Sequence, residues 1–319
     1  MEICKSRVES RESRAGRSRE PGFCPRPSTL GPRPLRAFTL LELLVVISIL
    51  GILAAMTVPV LKNFGRSDAT LGASRQLLDG VARARQLAMS GRTTVYMVFV
   101  PTNFWVDSSG TFPNSWFNNL SPALQTAVTN LADRQLSGYN FIARGTMGDQ
   151  PGQHAWRYLD QWQGLPEGTF IAWAKFTNSA TGPSYTITDS VNPAKSYPIW
   201  AFHVTNNFPF PTGQGTNDTL PTAQRIVLPY LAFNYLGQLT FDGQNVADRD
   251  EFIPLAHGSV MALANTTTKA LVLAGPPSVF NSPDVSETPP GNSTNGLSYN
   301  IVHIDRLTGR AVLEFHKMQ

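Results

Sequence analysis

Arg36-Ala37-Phe38-Thr39-Leu40-Leu41-Glu42-Leu43-Leu44-Val45-Val46-Ile47 opens an apolar stretch, and from Leu43 to Leu61 (LLVVISILGILAAMTVPVL) 19 consecutive residues carry no charge. As a helix rising about 1.5 Å per residue this run spans about 28 Å. That matches the roughly 30 Å of bilayer hydrocarbon. Glu42 stands at the edge of the run, where an intramembrane carboxylate costs on the order of 3 kcal/mol and so marks a functional position with a partner.

Residues 1–37 hold nine Lys/Arg and four Glu, leaving seventeen bases against eighteen acids and a net charge of −1 beyond residue 37. The basic segment is rich in Arg, Pro, Ser and Gly and has no apolar periodicity, so it reads as a disordered leader. The positive-inside rule keeps it in the cytoplasm and exports the rest. Both cysteines, Cys4 and Cys24, lie in the leader. A chain cut near residue 37 therefore has no disulfide, thiolate nucleophile or cysteine metal site. With 42% hydrophobic and 15% charged residues, the chain has the composition of a folded protein. Two ordinary readings exist: a secretory signal peptide cut near Ala54 and Ala55, or a plain signal anchor holding Glu42 at the interface. Glu42 inside the hydrophobic segment argues against the first.

The string from Arg36 to Ile47, followed by Gly51-Ile52-Leu53-Ala54-Ala55 and Val58-Pro59, closely resembles the prepilin N-terminal cleavage and methylation motif of type IV pilins and type II secretion pseudopilins. The likeness implies that a prepilin peptidase cuts between Ala37 and Phe38 and methylates the new amine of Phe38. Ala37 stands where Gly is usual, and the leader is longer than the common short form. Once Phe38 is the N-terminus, its ammonium needs an acceptor in lipid. Glu42, four residues on, supplies one within the helix or to a neighbouring subunit and so acts as an assembly contact.

Pro59 removes a helical hydrogen bond and Gly51 lowers helix propensity, so the helix is expected to kink at Pro59 between its membrane half and its outer half. Beyond it Leu71, Leu78, Ala82 and Met89 recur at helical spacing with Val81 and Ala88 beside them, while Gln76, Asp79, Arg83 and Gln86 take the opposite face. Ser90-Gly91 reads as the stop, Gly91 accepting a left-handed conformation. Arg75, Arg83 and Arg85 lie among acids and glutamines and read as a solvated face.

After Gly91 come short β-like runs at 93–100, 104–107, 155–159, 170–176, 199–204, 226–239, 260–264, 270–274 and 299–315, with one short helix expected over Pro122 to Gln135. Gly275 to Gly296 reads as a long irregular loop. VARARQLAMSGRTTVYMVF, Leu165-Pro166-Glu167-Gly168, Leu231-Ala232-Phe233 with Gly237, and Thr308-Gly309-Arg310 resemble the H-type minor pseudopilins and FimT-like minor pilins. The stretches at 107–153 and 177–197 are insertions relative to that pattern.

The fold class expected is α+β and pilin-like, a long N-terminal helix (membrane half, then amphipathic half) on an antiparallel sheet. Its parts are a cleaved leader (1–37), a transmembrane and assembly helix (38–61), an amphipathic helix (62–91) and a β-rich head (92–319). No catalytic residues and no cofactor are expected. His154, His203, His257, His303 and His316 are scattered without metal spacing, and His303 and Asp305 read as surface residues. Asp242, Asn245, Asp248, Asp250 and Glu251 bring oxygen donors within ten residues, a calcium candidate without EF-hand spacing. The resemblance implies a non-enzymatic minor pseudopilin of type II secretion, single-pass in the bacterial inner membrane with a periplasmic head. Its partners would be prepilin peptidase, other pseudopilins or pilins, and the secretion or pilus assembly platform. The alternatives are a type IV minor pilin for pilus assembly or DNA uptake and a membrane-anchored envelope enzyme. Nucleic acid is not an expected partner, since only Arg306, Arg310 and Lys317 near the C-terminus would favour it.

Overall fold

The computed structural model describes residues 39–102, 104, 117, 119–145, 155–177, 182–210, 225–261 and 283–315, with backbone alone over 56–68. The expected runs at 270–274 and most of 104–107 lie outside these residues. The chain divides into two units at Met56. Helix α1 (Leu40–Gly91) opens in the first. There, every large apolar side chain from Leu40 to Leu53 is at least 46% exposed.

The second unit is α+β. Its elements after α1 are β1 (Val95–Phe99), α2 (Pro122–Leu131), β2 (Gly138–Arg144), β3 (Trp156–Tyr158), β4 (Gln163–Gly164), β5 (Thr169–Ile171), β6 (Tyr185–Thr188), β7 (Ser196–Ile199), β8 (Asn207–Pro209) and β9 (Arg225–Val227). There follow β10 (Tyr230–Phe233), β11 (Leu239–Thr240), β12 (Glu251–Met261), β13 (Asp284–Glu287), β14 (Asn300–Ile304) and β15 (Ala311–Phe315). One sheet runs β11-β10-β1-β2-β3 with β4 on β2; the other runs β13-β12-β14-β15 with β5 on β12. Two further ribbons are β6-β7 and β8-β9. All the strand pairs are antiparallel.

The outer half of α1 buries Ala73, Leu77, Val81, Ala84 and Ala88 completely. This face meets Met97, Phe99, Phe141, Leu231 and Phe233 of the first sheet and Ile253, Leu255, Val302 and Ile304 of the second in one cluster. The expected stripe holds at Val81 and Ala88, which are buried, and is otherwise corrected: Leu71 is 48% exposed, Ala82 is exposed, and Leu78 and Met89 are half-buried. The two sets lie roughly 120° apart around a helix of 3.6 residues per turn. Small alanines let sheet backbone approach α1 closely, whereas the sequence pattern weighted the bulkier Leu and Met.

Strand β1 is buried throughout. Val95, Met97 and Phe99 face α1, while Tyr96 and Val98 face a second cluster containing Val128 and Leu131 of α2, Trp156, Phe208, Phe210 and Tyr230. The sheet is thus covered on both faces, and residues within the stretch at 107–153 supply α2 and β2. Helix α2 forms as expected: Ser121 caps it, accepting the Leu124 N–H at 3.4 Å, and Pro122 sits at its first turn.

Three local expectations are corrected. Gly91 ends α1, but the left-handed residue is Arg92 (φ 47°), and the Thr93 N–H returns to the Ala88 carbonyl at 3.2 Å. Asp284–Glu287, inside the expected irregular loop, pairs with Met261–Gly258 of β12 because its Asp-Val-Ser-Glu alternation suits a half-exposed edge. Residues 173–176 close a 3-10 turn instead of extending β5.

The C-terminal hairpin β14–β15 is fastened to α1 at two points. Asn300 Nδ2 donates to Ser74 Oγ at 2.7 Å, and Arg85 Nε donates to the Thr308 carbonyl at 2.7 Å. Gly309 lets the same hairpin turn close onto the β10–β11 turn, since a Cβ there would stand 2.0 Å from the Gly237 carbonyl oxygen.

Candidate functional site

The site anticipated at the N-terminal end of α1 begins with Thr39. Its hydroxyl accepts the Glu42 N–H at 3.2 Å, while the Leu43 N–H reaches the Thr39 carbonyl at 3.1 Å. Thr39 is therefore the N-cap and Glu42 the third helical residue, the Thr-x-x-Glu spacing of a capping box. The Glu42 carboxylate lies exposed in the first turn, where the helix dipole favours negative charge. Ala37 and Phe38 lie outside the described residues. The helix runs unbroken through Pro59. Among the described residues no helix is long and apolar enough to cross a membrane.

Within the second unit, α1 borders an open groove of about 340 Å³ whose wall includes Arg75, Gln76, Asp79, Arg83, Tyr139 and Gln163. Gln76 Nε2 donates to the Tyr139 hydroxyl at 3.3 Å and to the Gly164 carbonyl at 2.9 Å. The Tyr139 hydroxyl donates to Gln163 Oε1 at 2.9 Å, Gln163 Nε2 donates to Asp160 at 3.0 Å, and Arg83 meets Asp160 at 2.8 Å. Burial raises the Tyr139 phenol, which stays protonated as a donor. Hydrogen-bonding side chains hold this wall together, and no nucleophile and base converge there.

The structure disperses the calcium candidate. Asp242 caps a turn, accepting from the Thr240 hydroxyl and the backbone of Gln244 and Asn245, and these bonds hold its carboxyl far below the usual range. Asn245 donates its amide to Asp242 at 2.7 Å. Asp248 meets Arg249 at 3.3 Å, and Asp250 takes His303 Nε2 at 3.0 Å. Glu251 turns inward to Lys175. Glu251 opens β12 buried, while Asp250 just before it stays half-exposed against His303, so closeness in sequence gives no shared cavity. Among the described residues no three His, Cys, Asp or Glu side chains gather to hold a metal.

His154, His316 and Lys317 lie outside the described residues. His203 stacks on Phe241 at 3.8 Å, and burial, with the Arg249 charge beside it, pushes its pKa down to about 4. Asp305 is a turn cap, accepting from the Thr308 N–H and hydroxyl at 2.7 Å each, which lowers its pKa. Arg306 folds its guanidinium onto the Asp248 carbonyl at 2.8 Å, whereas Arg310 is exposed.

Sequence reading missed the pairing of the most deeply buried charges among the described residues. Lys175 and Glu251 are 0% and 1% exposed and in direct contact. Lys175 Nζ also donates to the Trp200 carbonyl at 2.6 Å and lies 4.4 Å from the centre of the Phe202 ring. Seventy-six residues separate the partners, so no local spacing announces the pair.

Residues 34–58 match the family profile described as the prokaryotic N-terminal methylation motif. That motif supports a type IV prepilin-like protein, and its family is structural. No curated protein and no solved structure matches the chain.

Proposed function

We propose that this chain is a minor pseudopilin, anchored in the bacterial inner membrane by residues 38–61, with its head in the periplasm, and assembled into a short pilus-like filament for type II protein secretion. The methylation motif at residues 34–58 carries the reading. It implies a prepilin peptidase as processing partner and other pilin-like subunits as assembly partners. Cleavage between Ala37 and Phe38 would leave the apolar helix attached, with a methylated amine at Phe38. Apolar side chains exposed all along Leu40–Leu53 need lipid or neighbouring helices to cover them. In that setting Glu42 neutralises the Phe38 amine of its own or an adjacent subunit, a polar contact that sets register where lipid offers no hydrophobic drive between helices. Bending at Pro59 would let the two halves of the helix follow different neighbours.

The test is coexpression of the full chain with a prepilin peptidase, then intact-mass and N-terminal analysis of membrane-extracted protein. The expected product begins with N-methylated Phe38. A product starting near Met56 would establish an ordinary signal peptide and end the pilin reading. Cross-linking to secretion pseudopilins as opposed to type IV pilins of the same cell then decides the machine.

A further inference from the structure

The Lys175–Glu251 contact sets an amine directly against a carboxyl group in a site closed to water. Lys175 sits in the 3-10 turn Trp173–Phe176, and Glu251 is the first residue of β12. Both side chains are at most 1% exposed. The Trp200 carbonyl, 2.6 Å from Nζ, holds the amine in place, and the Phe202 ring walls its other side. We propose that Lys175 and Glu251 are the donors of an intramolecular isopeptide bond, formed by the protein on itself and fastening the 3-10 turn to β12.

The step balances as a condensation. Proton transfer within the pair gives a neutral amine and a carboxylic acid. The Nζ lone pair attacks Cδ of Glu251, forming the C–N bond and a tetrahedral oxyanion. One Nζ proton passes to the hydroxyl oxygen, the C–O bond breaks, and water leaves; nothing is oxidised or reduced. Three features favour it. Burial pushes the Lys175 ammonium down and the Glu251 carboxyl up, both toward the neutral forms the reaction needs, against their mutual attraction. The positive charge of Arg249 acts on both groups and would favour a developing oxyanion. Fixed intramolecular geometry replaces an encounter in solution, an advantage equivalent to effective molarities of about 10⁵ M or more. The amide also removes two buried charges that are costly to desolvate.

The inference is independent of the filament reading, because the head makes the bond without a peptidase or a partner subunit. The full chain is purified folded, then denatured and digested with trypsin. The expected map lacks cleavage after Lys175 and contains a branched peptide joining Tyr158–Lys195 to Asp250–Lys269, lighter by one water than the two linear peptides. Glu251→Gln should give the same branched peptide by releasing ammonia, and Lys175→Arg should give none. A map of the unvaried protein in which most of the chain is cut after Lys175 overturns the proposal, whether or not the variants fold.

Discussion

Arg85 and Thr308, 223 residues apart, are joined by a 2.7 Å hydrogen bond from the guanidinium Nε–H to a backbone carbonyl. It fastens the outer half of α1 to the C-terminal turn, and Arg85 also lines the close packing around Gly237. Replacing Arg85 by Met keeps the aliphatic stem and removes the donor. The expected loss is about 1 kcal/mol, typical of a charge-assisted bond whose freed acceptor water can reach. Urea unfolding of the head should show a lower midpoint with an unchanged slope.

The buried face of α1 makes a sharper prediction. Leu77→Ala removes a fully buried side chain between two sheets and should destabilise by about 2–5 kcal/mol. Leu71→Ala, at a position 48% exposed, should stay within about 0.5 kcal/mol. Equal losses at the two positions, measured by denaturant titration, would restore the face expected from sequence.

Arg92 holds a left-handed conformation just past the end of α1. Arg92→Gly relieves that strain and should stabilise the head by about 0.5–1 kcal/mol, read as a rise in thermal midpoint.

His203 gives the head an acid-sensitive element. Its folded pKa of about 4 lies below the ordinary 6.5, so the folded state resists the proton that the unfolded chain accepts. Stability from this group is therefore complete above about pH 6.5 and is lost as pH falls through 4. Burial is the main cause, and the Arg249 charge adds to it against protonation. His203→Gln should flatten the pH dependence of the thermal midpoint between pH 6.5 and 4, leaving the steeper carboxylate loss below pH 4.

Glu42→Leu tests the assembly contact. The variant should insert and be cleaved normally, since a costly charge is gone, yet fail to enter filaments. Pull-down of tagged filaments containing the Leu variant at normal abundance would sink the role assigned to Glu42.

Much of this architecture was legible before any coordinates. The uncharged run after Glu42 announced one long helix, a short helix was expected from Pro122, and the β-like run at 299–315 contains the strands of β14–β15. The Ser121 and Thr39 caps were not read from the sequence. What else escaped was set by tertiary partners. The alanine face of α1 is chosen by two sheets that approach it, and bulk in the sequence pointed elsewhere. Strand β13 hid among prolines and glycines because β12 supplies its partner. The acidic run from Asp242 to Glu251 looked like one ligand set until the start of β12 and Lys175 divided it. Lys175 itself lies in no pattern, since the chain returns to it only through β12.

The two fastenings between α1 and β14–β15 have a consequence for the order of events during synthesis. The ribosome makes α1 early and the hairpin β14–β15 long after it. Met97 and Phe99 can meet the helix soon after they emerge, but Val302 and Ile304 follow only after every strand of the first sheet has been made. Until then the face carrying Leu77 and Val81 is half-clad, and Ser74 and Arg85 wait for Asn300 and Thr308. Closure couples the first ordered segment of the head to its final hairpin, a long-range pairing of the kind that slows folding. A chain stopped short of Asn300 would leave an apolar wound along the helix, so a truncated head would be recognised and degraded as incomplete.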